Sequence, residues 1–276
     1  VHVLPEEAGS SYAVTDSRLG EPDPVAAFYD RLAPRYEAIV GGHWDRSVQR
    51  QGDFLASVLE RSLGSGPLRV LDCCCGIGTQ ALGLAQNGHD VVATDISLGA
   101  IERARREAEL RKVSIGFSVR DLRELGSARL GEFDAVICGD NSIAHMLTRD
   151  DLGRAACSIR SVLENHGVAI ISLRDYDRHL ATRPACTLPT PADGASDALS
   201  FQRWTWLDHS CYEAEQLLIE RDQDGWSAQS LGHVRFRAWL RHEVSDAFDQ
   251  AGFRSQQWLM PTETTMASPL LVARSS

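Results

Sequence analysis

The chain has 276 residues, 43% apolar, 24% charged and 7% aromatic, which suits one medium α/β unit with an embellishment and excludes a collagen-like, low-complexity or wholly disordered chain. Lys and Arg number 28 against 38 Asp and Glu, a net charge of −10 that repels phosphate backbones; with no local basic stripe, no nucleic-acid partner is expected. No apolar run approaches the roughly 20 residues of a membrane span. The first residues have neither the basic nor the apolar region of a secretory signal, so a cytoplasmic protein with no membrane partner is expected. Of seven cysteines, Cys73, Cys74 and Cys75 are contiguous, while Cys138, Cys157, Cys186 and Cys211 are scattered. No Cys-x-x-Cys or Cys/His zinc spacing appears, so reduced, mostly buried thiols and no metal are expected.

Residues 1–23 are polar and aperiodic and read as a flexible N-terminal arm. Residues 24–66 read as a helical cap. Val25, Phe28, Tyr29, Leu32 and Tyr36 share one helical side, Gly41-Gly42 breaks the chain, and a second helix spans about Asp45 to Leu63 before the stop signal at 64–67. Residues 67–177 read as an alternating core with strands at 69–74, 90–95, 114–120, 133–139 and 168–173 and helices at 78–87, 97–111 and 149–163. Asn165-His166-Gly167 stops the last of these helices. Residues 178–240 read as an antiparallel insert, with a loop over 183–200 and alternating runs at 199–207, 212–221 and 226–237. Residues 241–276 complete the core, after a helix from about Trp239 to Gln250, with strands at 253–260 and 269–273. The expected fold is a Rossmann-like, seven-stranded, mostly parallel sheet with helices on both faces.

The segment Val70-Leu71-Asp72-Cys73-Cys74-Cys75-Gly76-Ile77-Gly78-Thr79 is a strand, a Gly-x-Gly turn and a helix start. Glycine lets the backbone approach a ligand beside a helix N-terminus at the carboxyl edge of the sheet. Asp95 closes the second strand, where a carboxylate accepts both hydroxyls of a ribose; its structural alternative is to cap the helix near Ser97. These two features imply a nucleoside cofactor without separating a nicotinamide dinucleotide from S-adenosylmethionine. Asp72 at the strand end, Asp121 after the third strand, placed for an adenine amino group, and the acidic, amide-rich Cys138-Gly139-Asp140-Asn141-Ser142 edge favour the cationic sulfonium cofactor.

On these motifs the sequence resembles the class I S-adenosylmethionine-dependent methyltransferases, in their glycine/sarcosine N-methyltransferase-like branch, over about residues 25–175. The resemblance implies S-adenosyl-L-methionine as cofactor, with Cys74, Gly76, Gly78, Asp95, Ile96, Asp121, Leu122 and Gly139 contacting it. It also implies Arg50 on the methionine carboxylate, with Trp44 lining the same end. Val136–His145 is similar to the family's stretch after the fourth strand, and Arg174-Asp175-Tyr176-Asp177 to its Arg-Asn-Tyr-Asp stretch. Two departures bear on the substrate: the cysteine run before Gly76, and Asp140 where those enzymes have glycine.

The reaction implied is methyl transfer to a small metabolite, most simply N-methylation of an amine or aromatic amine. C-methylation of an indole-type natural product is the alternative. Asp140, His145 and Tyr29 are the candidate catalytic residues, and the resembling enzymes favour Tyr29 as the tyrosine that caps the sulfonium. Asn141, Arg174, Tyr176 and Trp204 are candidate substrate contacts; packing for Tyr29 and Trp204, a backbone bond for His145 and a surface pair with Asp175 or Asp177 for Arg174 are the structural alternatives. A nicotinamide-dependent oxidoreductase lacks support from any Tyr-x-x-x-Lys dyad, and a non-catalytic cofactor-binding subunit is the third possibility. The partner expected is a small-molecule substrate, with the chain a monomer or homodimer.

Overall fold

The computed structural model describes residues 23–36, 39, 44–128, 130–188, 190–191, 198–223 and 225–275. The expected arm up to residue 22 and the Gly41-Gly42 break lie outside them. In chain order the elements are α1 (Pro24–Leu32), α2 (Trp44–Leu63), β1 (Arg69–Asp72), α3 (Thr79–Gln86), β2 (Asp90–Asp95), α4 (Leu98–Arg111), β3 (Ile115–Val119), β4 (Phe133–Cys138), α5 (Arg149–Ser161) and β5 (Leu163–Ser172). There follow α6 (Tyr176–Thr182), β6 (Thr190–Pro191), β7 (Ala198–Trp206), β8 (Cys211–Asp222), β9 (Gly225–Arg237), α7 (Arg241–Gln250), β10 (Phe253–Leu259) and β11 (Leu270–Ser275).

The main sheet runs β10-β11-β5-β4-β1-β2-β3, with only β11 antiparallel to its neighbours. Strand alternation sends Leu71, Val136 and Ile171 to one face and Val70, Ile137 and Ile170 to the other, so two cores form. One packs under α1, α5 and α7, with Phe28, Ile159 and Phe248; the other packs under α2, with Leu55 and Leu59. Both faces of the central strands are therefore apolar, as a parallel sheet covered by helices requires. Chain order reverses at β1, which pairs with β2 on one side and β4 on the other, and the crevice beyond their carboxyl ends is where open α/β sheets take ligands.

The second sheet, β6-β7-β8-β9, is antiparallel. Its alternation turns Trp204, Tyr212, Ala214, Val234 and Phe236 inward, and α1 packs on β9, which brings the helical cap and the insert together over the crevice. Among the described residues no helix is long and apolar enough to cross a membrane.

The structure differs from the sequence expectations at several joints. α5 stops at Ser161 and β5 begins at Leu163, five residues earlier than its apolar run. The polar stretch up to Gly167 lies inside the strand, where the ladder to β4 is irregular and His166 has φ 66°. Helix α6 was not expected, because its seven residues span too few turns for periodicity to show. Trp239 is not helical: it is fully buried and donates from Nε1 to the Met146 carbonyl at 2.8 Å, and α7 begins two residues later. A two-residue strand, β6, interrupts the loop expected over 183–200.

Candidate active site

Beyond β1 the backbone stays threaded between its neighbours: Cys73 N–H donates to Ile137 O and Cys75 N–H to Thr94 O, both at 2.9 Å. Gly76 and Gly78 then take left-handed φ of 52° and 94° and start α3. The two glycines do different work. A Cβ on Gly76 would meet nothing within 4 Å, so that position faces open space, whereas one on Gly78 would press on Ala104 Cβ at 3.3 Å and on Leu82. Gly76 leaves room for a ligand; Gly78 lets α3 pack on α4.

Asp95 secures the loop. Its Oδ2 accepts from Gly76 N–H at 2.8 Å and its Oδ1 from Ser97 N–H at 2.9 Å. Capping of α4 falls instead to Ser97, whose Oγ accepts from Ala100 N–H, while Asp30 of α1 reaches the same end through Ser97 Oγ and Gly99 N–H. Burial raises the Asp95 pKa to about 7, with Cys74 adding and the backbone donors Ser97, Gly76 and Ile96 opposing.

Around this loop lies a half-open cavity. Tyr29, Cys74, Gly76, Asp95, Ile96, Asp121, Leu122, Asp140 and His145 all line it, so most of the sequence-derived cofactor and catalytic residues share one space. Gly78, Gly139, Trp44, Asp72, Asn141, Arg174, Tyr176 and Trp204 lie outside its lining. Trp44 stands behind the wall, donating from Nε1 to Thr79 Oγ1 at 2.8 Å. Arg50 is exposed on α2, away from the cavity, because α2 turns Gln51 inward instead. Gln80 Nε2 donates to Gln51 Oε1 at 2.8 Å, and Gln80 also hydrogen-bonds Asp140. Gly139 is where Gln80 passes, since a Cβ there would lie 3.0 Å from its Cδ.

Asp72 is fully buried beneath the loop, and neither carboxylate oxygen has a hydrogen bond of normal geometry. Asp121 is committed to Arg123: Nε donates to both its oxygens at 3.0 Å and a terminal nitrogen to Oδ2 at 2.6 Å. Burial pulls the Asp121 pKa upward, but Arg123 outweighs it and holds the carboxyl below its usual range. Asp140 and Asn141 take successive left-handed φ of 47° and 68°, a conformation that costs free energy for residues other than glycine and that turns the chain sharply after β4. Asp140 is exposed at the cavity, where desolvation by the surrounding protein raises its pKa, opposed by Gln80 and the Arg174 charge.

Asn141 ties the ends of β4 and β5 together. Its N–H donates to Ser172 Oγ, its Oδ1 accepts from Arg174 N–H, and its Nδ2 donates to Tyr176 Oη at 2.9 Å. Tyr176 Oη is 2.8 Å from Tyr212 Oη. The Arg174 guanidinium donates to Tyr212 Oη and Gln202 Oε1, each at 2.9 Å, and lies over the Trp204 and Phe236 rings. Asp175 and Asp177 pair with Arg241 rather than with Arg174. Among the described residues no carboxylate pairs with the Arg174 guanidinium.

On the cap side, Tyr29 Oη is 2.9 Å from His145 Nε2, and His145 Nδ1 is 3.2 Å from the Arg235 carbonyl. A carbonyl only accepts, so Nδ1 carries the proton and Nε2 accepts from the Tyr29 hydroxyl. Burial lowers the His145 pKa to about 4 and raises that of Tyr29, so both stay neutral at pH 7.

Residues 70–167 match the family model of the methyltransferase domain. The core of this chain is a methyltransferase domain. It is 36% identical over 153 residues, 55% of the chain and 52% of the relative, to a glycine/sarcosine N-methyltransferase of Parasynechococcus marenigrum. The chain thus spans about half the length of that relative. The chain shares its fold with an S-adenosylmethionine-dependent methyltransferase from Clostridium acetobutylicum (TM-score 0.69, 14% identity, 91% of this chain and 98% of that one). It shares it too with a sugar N-methyltransferase from Streptoalloteichus (TM-score 0.64, 18% identity, 98% and 99%).

Several residues of the methyltransferase cavity carried no signal in the sequence. Thr79, Met146 and Arg123 line it, and Gln51 and Gln80 orient Asp140 from two different helices. Arg123 stands two residues after Asp121, a spacing that could have suggested their pairing. Gln51 and Gln80 meet only because α2 crosses α3, which no local pattern records.

Proposed function

We propose that this chain is an S-adenosylmethionine-dependent N-methyltransferase of a small amine or aromatic amine. The observation that carries the reading is one cavity in which a nucleoside-type subsite, Gly76 with Asp95, Ile96 and Leu122, adjoins a polar subsite of Asp140, His145 and Tyr29. The residues suit that cofactor. Gly76 faces open space, and the Asp95 carboxylate, held by the backbone donors of Gly76, Ile96 and Ser97, lines the cavity, where it would accept from a ribose hydroxyl. With Asp121 paired to Arg123, Asp23, Asp95 and Asp140 outnumber Arg120 in the lining, a balance that suits a cation better than a pyrophosphate.

When bound, the cofactor supplies a methyl group already activated on a sulfonium sulfur. The chain's own task is therefore positioning, which supplies on the order of 7–11 kcal/mol. Asp95 would hold the ribose, while Ile96, Leu122 and Met146 would cover the adenine. Asp140 is the available proton acceptor, because His145 Nε2 is occupied by Tyr29 and the Asp121 carboxylate by Arg123. Its raised pKa suits taking the proton of an amine that must react neutral. Tyr29 and His145 form a neutral wall that excludes water on the cap side. Arg174, whose guanidinium lacks a carboxylate partner among the described residues, supports an acceptor that carries an anionic group.

A panel of small amines, with and without a carboxylate, followed by a mass shift of one methyl tests the reading. Asp140→Asn should lower kcat while leaving S-adenosylhomocysteine affinity within a few-fold, and Arg174→Lys should lower kcat/KM selectively for carboxylate-bearing acceptors. Absence of calorimetric binding of S-adenosylmethionine would overturn the cofactor assignment, and full activity in both variants would overturn the acceptor subsite.

A further inference from the structure

Cys73, Cys74 and Cys138 are free thiols whose Sγ atoms all lie within 4.8 Å of one another. They come from the carboxyl ends of the adjacent strands β1 and β4, so the turn in chain order that makes the cofactor crevice also gathers the sulfurs. Cys73 and Cys138 are buried and Cys74 is half-buried, and Cys73 and Cys74 both line the cavity. Nothing in the proposed methyl transfer uses a thiol.

The spacing decides what the cluster suits. Cys138 Sγ is 4.0 Å from Cys74 Sγ. A disulfide needs about 2.05 Å between sulfurs, far closer than this. A soft ion with metal–sulfur bonds of about 2.3 Å sets its sulfurs roughly 3.8–4.0 Å apart in tetrahedral or trigonal geometry. The Cys74–Cys138 pair thus stands at the edge length of a sulfur coordination site, and Cys73 Sγ lies within 4.8 Å of both. Cys75 Sγ lies outside the three-sulfur group, beside the Gly76 carbonyl at 3.5 Å, and Cys73, whose thiol donates to the Ile137 carbonyl at 3.1 Å, would give up that bond on ionising.

We propose that Cys73, Cys74 and Cys138 bind one soft, thiophilic d¹⁰ cation of the zinc and cadmium class, with the fourth coordination position open to the cofactor cavity. On binding, three S–H protons pass to solvent, three metal–sulfur bonds form and the ion sheds the waters they replace; no oxidant or reductant is involved. Three thiolates crowded in a buried site require the cation's charge, so ionisation and binding occur together. Because Cys74 belongs to both sites, the cation opposes cofactor binding. That last consequence rests on the proposed cofactor; the metal site does not.

Cadmium(II) is the probe, titrated into the full chain with exposed Cys157 and Cys186 replaced by serine, and followed by sulfur-to-cadmium charge-transfer absorption in the ultraviolet. One ion per chain is expected. Loss of groups that merely support a ligand costs about 10–100-fold in affinity, so Cys74→Ala and Cys138→Ala should each cost at least about tenfold, while Cys75→Ala leaves cadmium affinity unchanged. Half-buried Cys74 keeps the test alive should Cys138→Ala fail to fold by circular dichroism. No charge-transfer band at stoichiometric cadmium, or unchanged affinity in Cys74→Ala, would overturn the site. Cadmium should also weaken S-adenosylhomocysteine binding in the parent. Bound cadmium with S-adenosylhomocysteine affinity unmoved would overturn the antagonism and leave the metal site standing.

Discussion

Asp72→Asn isolates a single buried charge. The side chain is fully buried, both oxygens lack normal hydrogen bonds, and burial raises its pKa well above the carboxylate range, with Cys74, Asp140 and Asp95 adding to it. In the unfolded chain the same group titrates near ~3.9. The folded chain therefore retains a proton that the unfolded chain releases. The stability this group contributes is full below the unfolded pKa and is lost as pH rises towards the folded one. Inside that window each pH unit costs about 1.4 kcal/mol. Asparagine keeps the shape and does not titrate, so the stability of Asp72→Asn relative to the parent should climb as pH rises above the unfolded carboxyl value, by at most about 1.4 kcal/mol per pH unit. Urea unfolding of the ligand-free protein at three pH values reads this, since the difference of two curves cancels the titrating groups that do not interact with Asp72. A difference independent of pH would refute the account, because it would mean that Asp72 is solvated or paired and its pKa ordinary.

Three further outcomes follow from the geometry. Gly83→Ala would place a Cβ 2.4 Å from Val48 O and 2.7 Å from Gly52 Cα, backbone that cannot yield cheaply, so it should cost about 3 kcal/mol or more in urea unfolding. Gly153→Ala, with nothing within 4 Å in helix α5, should instead stabilise by about 0.5–1 kcal/mol; equal effects would show that the α2–α3 crossing is looser than drawn. Asp95→Ala removes the acceptor for Gly76 N–H and for the ribose, so S-adenosylhomocysteine affinity by calorimetry should fall by at least about tenfold, on charged hydrogen bonds worth roughly 1.5–3 kcal/mol each; unchanged affinity would remove Asp95 from the cofactor site. Tyr29→Phe takes away the donor that favours neutral His145 Nε2, so the His145 pKa by NMR should rise from about 4; an unmoved titration would show that burial alone sets it.

Much of this protein was legible locally. The seven-stranded sheet could be read because central strands such as Val70–Asp72 and Val136–Cys138 are buried on both faces and so appear as short apolar runs, with helices between them closed by glycine or capped by Ser97 and Thr148. Gly76 and Asp95 stood out locally because Gly76 follows one strand and Asp95 closes the next, whereas the bond from Gly76 N–H to Asp95 joins two loops 19 residues apart. What the sequence could not fix is every relation between elements. It left open whether Asp121 was free, and the fold gives it to Arg123; it put Arg50 at the cofactor, and helix phase turned Gln51 inward in its place. The seven scattered or contiguous cysteines showed no metal spacing, yet parallel pairing of β1 with β4 sets three of the sulfurs within 4.8 Å. Periodicity and turn chemistry act over a few residues and are written in the chain. Which side chains meet across helices and strands depends on packing angle and register, and those are settled only when the whole core closes.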